Sequence, residues 1–134
     1  MAIDCIFCAI AERTAPALVV DANTETIAFL DINPATRGHT LVIPRTHAAD
    51  LYEVSEADLH NAMTMAQEIA TRMRDKLGAD GVNILNSCGA AAWQTVGHFH
   101  LHVIPRYEGD PLKLPWTPAP VDADSLNRVA QALR

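Results

Sequence analysis

Residues 97–104 read Gly97-His98-Phe99-His100-Leu101-His102-Val103-Ile104, so a chain with six histidines sets three of them at alternate positions of one short stretch. In an extended segment successive side chains point to opposite faces, which puts His98, His100 and His102 on one face and Phe99, Leu101 and Val103 on the other. The apolar face predicts burial against a helix. The other face predicts a row of imidazoles about 6.5–7 Å apart at Cα. The outer two are then about 13 Å apart, too far for all three to share one ion without a strong bend. Such a row suits a division of labour. A merely solvated face draws on Thr, Lys, Glu and Ser, so three consecutive histidines point to function. A neutral imidazole is a nucleophile near pH 7 once its second nitrogen holds the proton. The natural device for that is a hydrogen bond from the ring N–H to a backbone carbonyl on the same or a neighbouring strand.

Outward from this stretch, the chain alternates short apolar runs with turn residues. ALVVDANTETIAFLDI (residues 17–32) predicts two strands about the turn Asp21–Thr24, and His39–Pro44 a third strand stopped by its proline. Ser55 is an N-cap with Asp58 three residues on. Leu59, Met63, Ala66, Ile69, Ala70, Met73 and Leu77 then recur at helical spacing, their methionines expected in the core, before Gly78 ends the helix. Val82–Leu85 is a fourth strand and the histidine stretch a fifth. Four of the eight prolines fall between Pro111 and Pro120, predicting an irregular connection to a short final helix with Leu126, Val129, Ala130 and Leu133. Five strands with one principal helix and short connections predict an α+β fold with a mainly antiparallel sheet.

At 134 residues the length suits one domain over 1–134, with 108–134 as a proline-rich extension. The formal net charge of −6 and the absence of a basic cluster argue against a nucleic-acid polymer as partner, leaving a small phosphate ligand open. The opening MAIDCIFCAI has neither the basic start nor the apolar length of a signal peptide. No apolar run approaches the roughly 20 residues that span a bilayer. The reading is a cytoplasmic protein with no membrane partner. Three cysteines favour thiols or a metal over disulfides. Cys5 and Cys8 are spaced as half of a structural zinc site. From spacing alone a redox pair and two buried thiols stay open, although neither a helix start nor the βαβ context of a redox motif is evident.

HFHLHVI matches His-φ-His-φ-His-φ-φ with φ apolar, and GAAAWQTV (residues 89–96) resembles the Gly-x-Ala-Ala-Gly-Gln-Ser/Thr-Val that precedes it in the histidine-triad (HIT) family. AFLDINPATRGHTLVIPRTH (residues 28–47) resembles a further block of that family, and CIFC is shared with many of its bacterial members. The similarity runs from residue 5 to about 107 and is nearest to the Hint-like branch of nucleoside phosphoramidate and adenylate hydrolases. It implies the HIT-like α+β fold and a homodimer whose sheets join, with the proline-rich tail near the partner's site.

It also implies a purine nucleotide substrate attacked at the α-phosphate by His100, with His102 as stabiliser or proton donor. Gln94 and Thr95 match phosphate contacts, Asp31 the ribose acceptor, and Phe29 and Ile32 the base pocket. Counting back from Gln94, the phosphate-contacting Asn of the family falls at Ser87, and an extended backbone turns Asn86 to the opposite face. Zinc would be held by Cys5, Cys8, His47 and His98, a closed and hence structural set. Alternative activities are a dinucleoside polyphosphate hydrolase and a non-enzymatic nucleotide-binding or interaction module. Trp93 departs from the family glycine. Because a tryptophan lacks glycine's freedom of φ, a different loop path is expected there. His60 is expected at the surface, Cys88 as a plain small residue, and His39 in a supporting role outside the catalytic set.

Overall fold

The computed structural model describes residues 4–134, so residues 1–3 of the stretch read for a leader lie outside the described residues. The elements are helix α1 (Ile6–Ala11), strands β1 (Val19–Ala22), β2 (Thr26–Leu30) and β3 (Thr40–Pro44), helix α2 (Glu56–Leu77), strands β4 (Gly81–Leu85) and β5 (Leu101–Arg106), and helix α3 (Ala123–Leu133). The five strands form one sheet in the order β1-β2-β3-β5-β4, with every neighbouring pair antiparallel. This is the α+β architecture that the strand count and short connections predict. The long helix also begins and ends where its signals stand. The Ser55 hydroxyl accepts from the Asp58 N–H at 3.1 Å, and Gly78 closes α2 in the left-handed conformation.

The alternation read at the histidines holds across the three central strands, β2, β3 and β5. Phe99, Leu101 and Val103 pack with Ala28 and Val42 against Ala62, Met65, Ala66, Ile69 and Met73 of α2. Ile27, Phe29, Leu41 and Ile43 face the other way and are covered by Phe7, Ile10 and Ala11 of α1. Each fully buried aliphatic or aromatic side chain on these faces contributes about 1.5–3 kcal/mol. Of the helical methionines, Met65 and Met73 are core as expected. Met63 is not, being 44% exposed on the outer face of α2.

Three expectations need correction. A third helix follows Cys5 directly: the Cys5 sulfur accepts from the Cys8 N–H at 3.4 Å and caps α1. Six residues are too few to display helical periodicity, which is why the pattern did not reveal it. The histidine stretch is only partly ladder. Pairing begins at Leu101, and Val96–His98 form a bend, tied in by the Phe99 N–H donating to the Ala48 carbonyl at 2.7 Å. The loop at Trp93 keeps a left-handed turn (φ 75°, ψ 20°), so tryptophan occupies the conformation that glycine ordinarily supplies.

Gly38, which leads into β3, has φ 97°, and a Cβ there would lie 2.6 Å from Leu77 Cδ1 and 3.3 Å from Pro105 Cγ. Gly38→Ala is therefore expected to destabilise the protein by roughly 1–3 kcal/mol. The check is a lower urea midpoint at unchanged denaturant slope. An unchanged midpoint would show that Leu77 and the backbone absorb the methyl freely.

Candidate functional site

The face of β5 and its lead-in segment opposite α2 carries the histidines; backbone carbonyls fix the proton on His98 and His100, and a neighbouring ring fixes that on His102. His98 is fully buried, with Nε2 2.8 Å from the Pro44 carbonyl. A carbonyl only accepts, so Nε2 carries the hydrogen and Nδ1 keeps its lone pair. His100 Nδ1 lies 2.7 Å from the His98 carbonyl, so its proton sits on Nδ1 and its Nε2 lone pair is free. This is the carbonyl contact that the alternating pattern called for, made within the same segment.

His39, which sequence reasoning kept outside the catalytic set, completes the array. The Ala35 N–H donates to His39 Nδ1 at 3.0 Å, which puts the hydrogen on Nε2. From there it donates to His102 Nδ1 at 2.9 Å, leaving the His102 proton on Nε2. Asp31 Oδ2 is 3.6 Å from His39 Nε2. The signal available in the sequence was position: His39 immediately precedes β3, which pairs with β5 so that Leu41 lies opposite His102. All the rings stay neutral at pH 7. Burial lowers the pKa of His39, His98 and His100. Burial, together with the neighbouring His100 and His39, lowers that of His102 to about 4.

His100 and His102 open into a cleft of about 420 Å³. Asp31, Phe29, Ile32 and Thr95, all expected at the site, line it together with Ile6 and Ile10 of α1. The ring of Phe7 packs edge-on to His100 with centroids 5.1 Å apart. The walls are mostly apolar, with the Asp31 carboxylate, the Asn33 amide, the Thr95 hydroxyl and two imidazoles as polar groups, a composition that suits a flat heteroaromatic ligand bearing hydroxyls and phosphate.

Ser87 and Gln94 sit elsewhere. Ser87 is buried and does not line the cleft. Gln94 is engaged within its own loop, with Nε2 donating to the Ala49 and Val96 carbonyls and Oε1 accepting from the Gly89 N–H. Asn86 does not line the cleft either; its Nδ2 donates to the backbone carbonyl of His100 at 2.9 Å. Residues 86–88 lie beyond the end of β4. His60 is at the surface as expected.

Beside the triad, the ligand atoms of Cys5, Cys8, His47 and His98 all lie within 4.8 Å of one another. Cys8 Sγ is 3.2 Å from His47 Nδ1 and 3.5 Å from His98 Nδ1, and Cys5 Sγ is 3.5 Å from His98 Nδ1. A tetrahedral ion with bonds of about 2.3 Å to sulfur and 2.0–2.1 Å to nitrogen separates such atoms by about 3.5 Å, so the four residues fit a metal of that kind. The free Nδ1 of His98 faces the cluster, oriented by the bond at its other nitrogen. Burial and the adjacent Cys5 raise the Cys8 thiol to about 11, a penalty on two neighbouring thiolates that a divalent cation removes.

Fold and site define an α+β domain that presents backbone-oriented neutral histidines to a nucleotide-sized cleft. The chain belongs to the HIT family: the family model described as HIT domain matches residues 12–109. An uncharacterized HIT-like protein of Methanocaldococcus jannaschii is 45% identical over 106 residues, covering 79% of this chain and 81% of that protein. The crystal structure of a Zn-bound histidine triad family protein from Mycobacterium smegmatis superposes with a TM-score of 0.80 at 42% identity, covering 96% and 91% of the two chains. A histidine triad nucleotide-binding protein from Candida albicans superposes with a TM-score of 0.84 at 29% identity, covering 97% and 94%. The family is one of nucleotide-binding proteins and hydrolases. No helix among the described residues is long and apolar enough to cross a membrane.

The lowered imidazole values couple stability to pH. An unfolded imidazole takes up its proton near 6.5, whereas folded His102 resists until about 4, so between these values the unfolded chain binds more protons and stability falls as pH falls. For His102 alone, about 1 kcal/mol is lost between pH 7 and 5.5. Urea midpoints across that range check this, and His102→Gln flattens the slope. An identical slope in the variant would exclude His102 as its source.

Proposed function

We propose that the protein is a nucleotide hydrolase that cleaves at the α-phosphate of purine nucleoside phosphoramidates or adenylates through a nucleotidyl-histidine intermediate. The observation that carries this reading is the free Nε2 lone pair of His100, held toward the cleft by the bond from Nδ1–H to the His98 carbonyl. Nε2 attacks the α-phosphorus, a P–N bond to His100 forms, and the bond to the leaving group breaks. His102 offers its Nε2–H to the departing amine or to a phosphate oxygen, and phosphate charge raises the basicity of that ring. Water then displaces the histidine and releases the nucleoside monophosphate.

In this reading Asp31 accepts from the ribose hydroxyls, while Phe29 and Ile32 hold the base. Thr95, exposed at the cleft wall, donates to phosphate or the leaving group. Contacts from Ser87 and Gln94 to phosphate require the loop to close on the ligand, since Gln94 is bonded inside that loop. Zinc is bound by Cys5, Cys8, His47 and His98, and its role is structural because all four ligands come from the protein. Solution as a cytoplasmic homodimer completes the proposal, supported by three free cysteines and by the open edge of β4.

Mass spectrometry of a quenched reaction with an adenosine phosphoramidate tests the mechanism. A nucleotidyl adduct on His100 is expected, with turnover falling on the order of 10³-fold or more in His100→Ala. Turnover in both proteins without an adduct would overturn it. Adduct formation only with a dinucleoside polyphosphate would move the substrate class to that second group.

The zinc reading has its own test. Elemental analysis of the purified protein is expected to give one zinc per chain, and chelation to lower the melting temperature. Cys8→Ser should lose both the metal and the chelator response. A metal-free protein with an unchanged melting temperature would rule zinc out.

A further inference from the structure

From spacing alone Cys5 and Cys8 suit a metal pair or a redox pair, and the structure supplies the helix start that a redox pair needs. Cys5 is the N-cap of α1 and Cys8 its third residue, with the Cys8 N–H donating to the Cys5 sulfur at 3.4 Å. Positions three apart at a helix start lie about 5 Å from each other at Cα. A disulfide spans about 4.4–6.8 Å between Cα atoms, so this pair closes by turning its side chains alone.

Exposure separates the pair from a sealed structural site. Cys5 and Cys8 are both half-buried rather than buried. Cys5 lines a hollow of about 350 Å³ with His47, Thr95 and Gly97, whereas Cys8 does not. A molecule the size of a peroxide therefore reaches the Cys5 sulfur from the hollow, and the Cys8 sulfur is within 4.8 Å of it. The thiolate is at once the metal ligand and the nucleophile toward an oxidant, so ligation keeps both sulfurs in their reactive form. The other two ligands come from separate segments, His47 after β3 and His98 before β5. Loss of both sulfurs leaves only two imidazoles, half of a tetrahedral set.

We infer that Cys5 and Cys8 form a peroxide-responsive pair whose oxidation to a disulfide releases the ion they hold with His47 and His98. The inference rests on the zinc reading above. The Cys5 thiolate attacks one oxygen of hydrogen peroxide, the O–O bond breaks, and a sulfenic acid and hydroxide result. The Cys8 thiolate then displaces hydroxide from that sulfur and the S–S bond forms. Each sulfur gives up one electron; peroxide takes both and, with two protons from solvent, leaves as two waters. A thiol reductant reverses the change, and in a reducing compartment such a disulfide is transient, as a sensor requires. His98 carries the effect toward the cleft, since its Nδ1 faces the sulfurs while its carbonyl holds the proton of His100.

The test uses the full chain purified in the presence of zinc, assayed for metal and then treated with hydrogen peroxide beside a chelating dye. Release of one zinc per chain is expected, together with a denatured mass lower by two hydrogens and a peptide linking Cys5 to Cys8. Dithiothreitol with added zinc should restore the melting temperature, and Cys88→Ser should behave as the wild type. Zinc bound at the outset and retained after peroxide would overturn the inference and leave the zinc reading intact. So would release without the Cys5–Cys8 link, or release that Cys88→Ser abolishes. A protein without metal at the outset would overturn the zinc reading and the inference with it.

Discussion

The hydrogen bond from the His98 ring to the Pro44 carbonyl is the constraint on which the site depends. It joins the segment entering β5 to the last residue of β3, ahead of the ladder that begins at Leu101. With the proton of a fully buried imidazole committed there, Nδ1 is the only nitrogen His98 can offer to the cysteines. The same residue presents its own carbonyl to His100 Nδ1, and so leaves the nucleophilic lone pair on the far side of that ring. One residue thus couples the metal-fitting cluster to the cleft without being a reacting group.

The neutrality of the imidazole array follows from packing. Several rings crowded within about 5–6 Å of each other would repel if charged, and burial adds a desolvation cost to every proton taken up. Helix α1 supplies much of that burial, because Phe7 meets both His98 and His100 while Cys5, at its N-terminus, faces the cluster. A six-residue helix therefore does three jobs: it covers the sheet, walls the cleft and carries the thiols. None of these is a helix-propensity effect, and six residues are too few to display a period.

Legibility followed that distinction. The sheet, α2 with its caps, and the opposed faces around the histidines were readable because burial imposes a continuous apolar run on residues 40–44, a helical period on most of 56–77 and alternation on 99–103. Asp31, Phe29, Ile32, Thr95, His100 and His102 converge on one cleft, and Cys5, Cys8, His47 and His98 on one cluster, as the motif resemblance implied. What escaped lies where alternation stops. Asn86 turns toward the His100 carbonyl just past the end of β4, and Gln94 satisfies its own loop. His39 reaches His102 through a cross-strand pairing that a one-dimensional pattern does not display.

Trp93 shows the same limit in energetic form. Residue type alone argues that tryptophan leaves a left-handed turn, since the conformation costs roughly 1–2 kcal/mol for an L-residue with a side chain. Yet the turn persists at φ 75°. The next residue explains how. Gln94 ties Gly89, Ala49 and Val96 together through three side-chain hydrogen bonds, and each such bond contributes about 0.5–1.5 kcal/mol. Their sum, about 1.5–4.5 kcal/mol, matches or outweighs the cost at Trp93, so the closed loop holds φ and the residue at its tip conforms. The backbone path toward Thr95 is then a property of Gln94 and its three anchors.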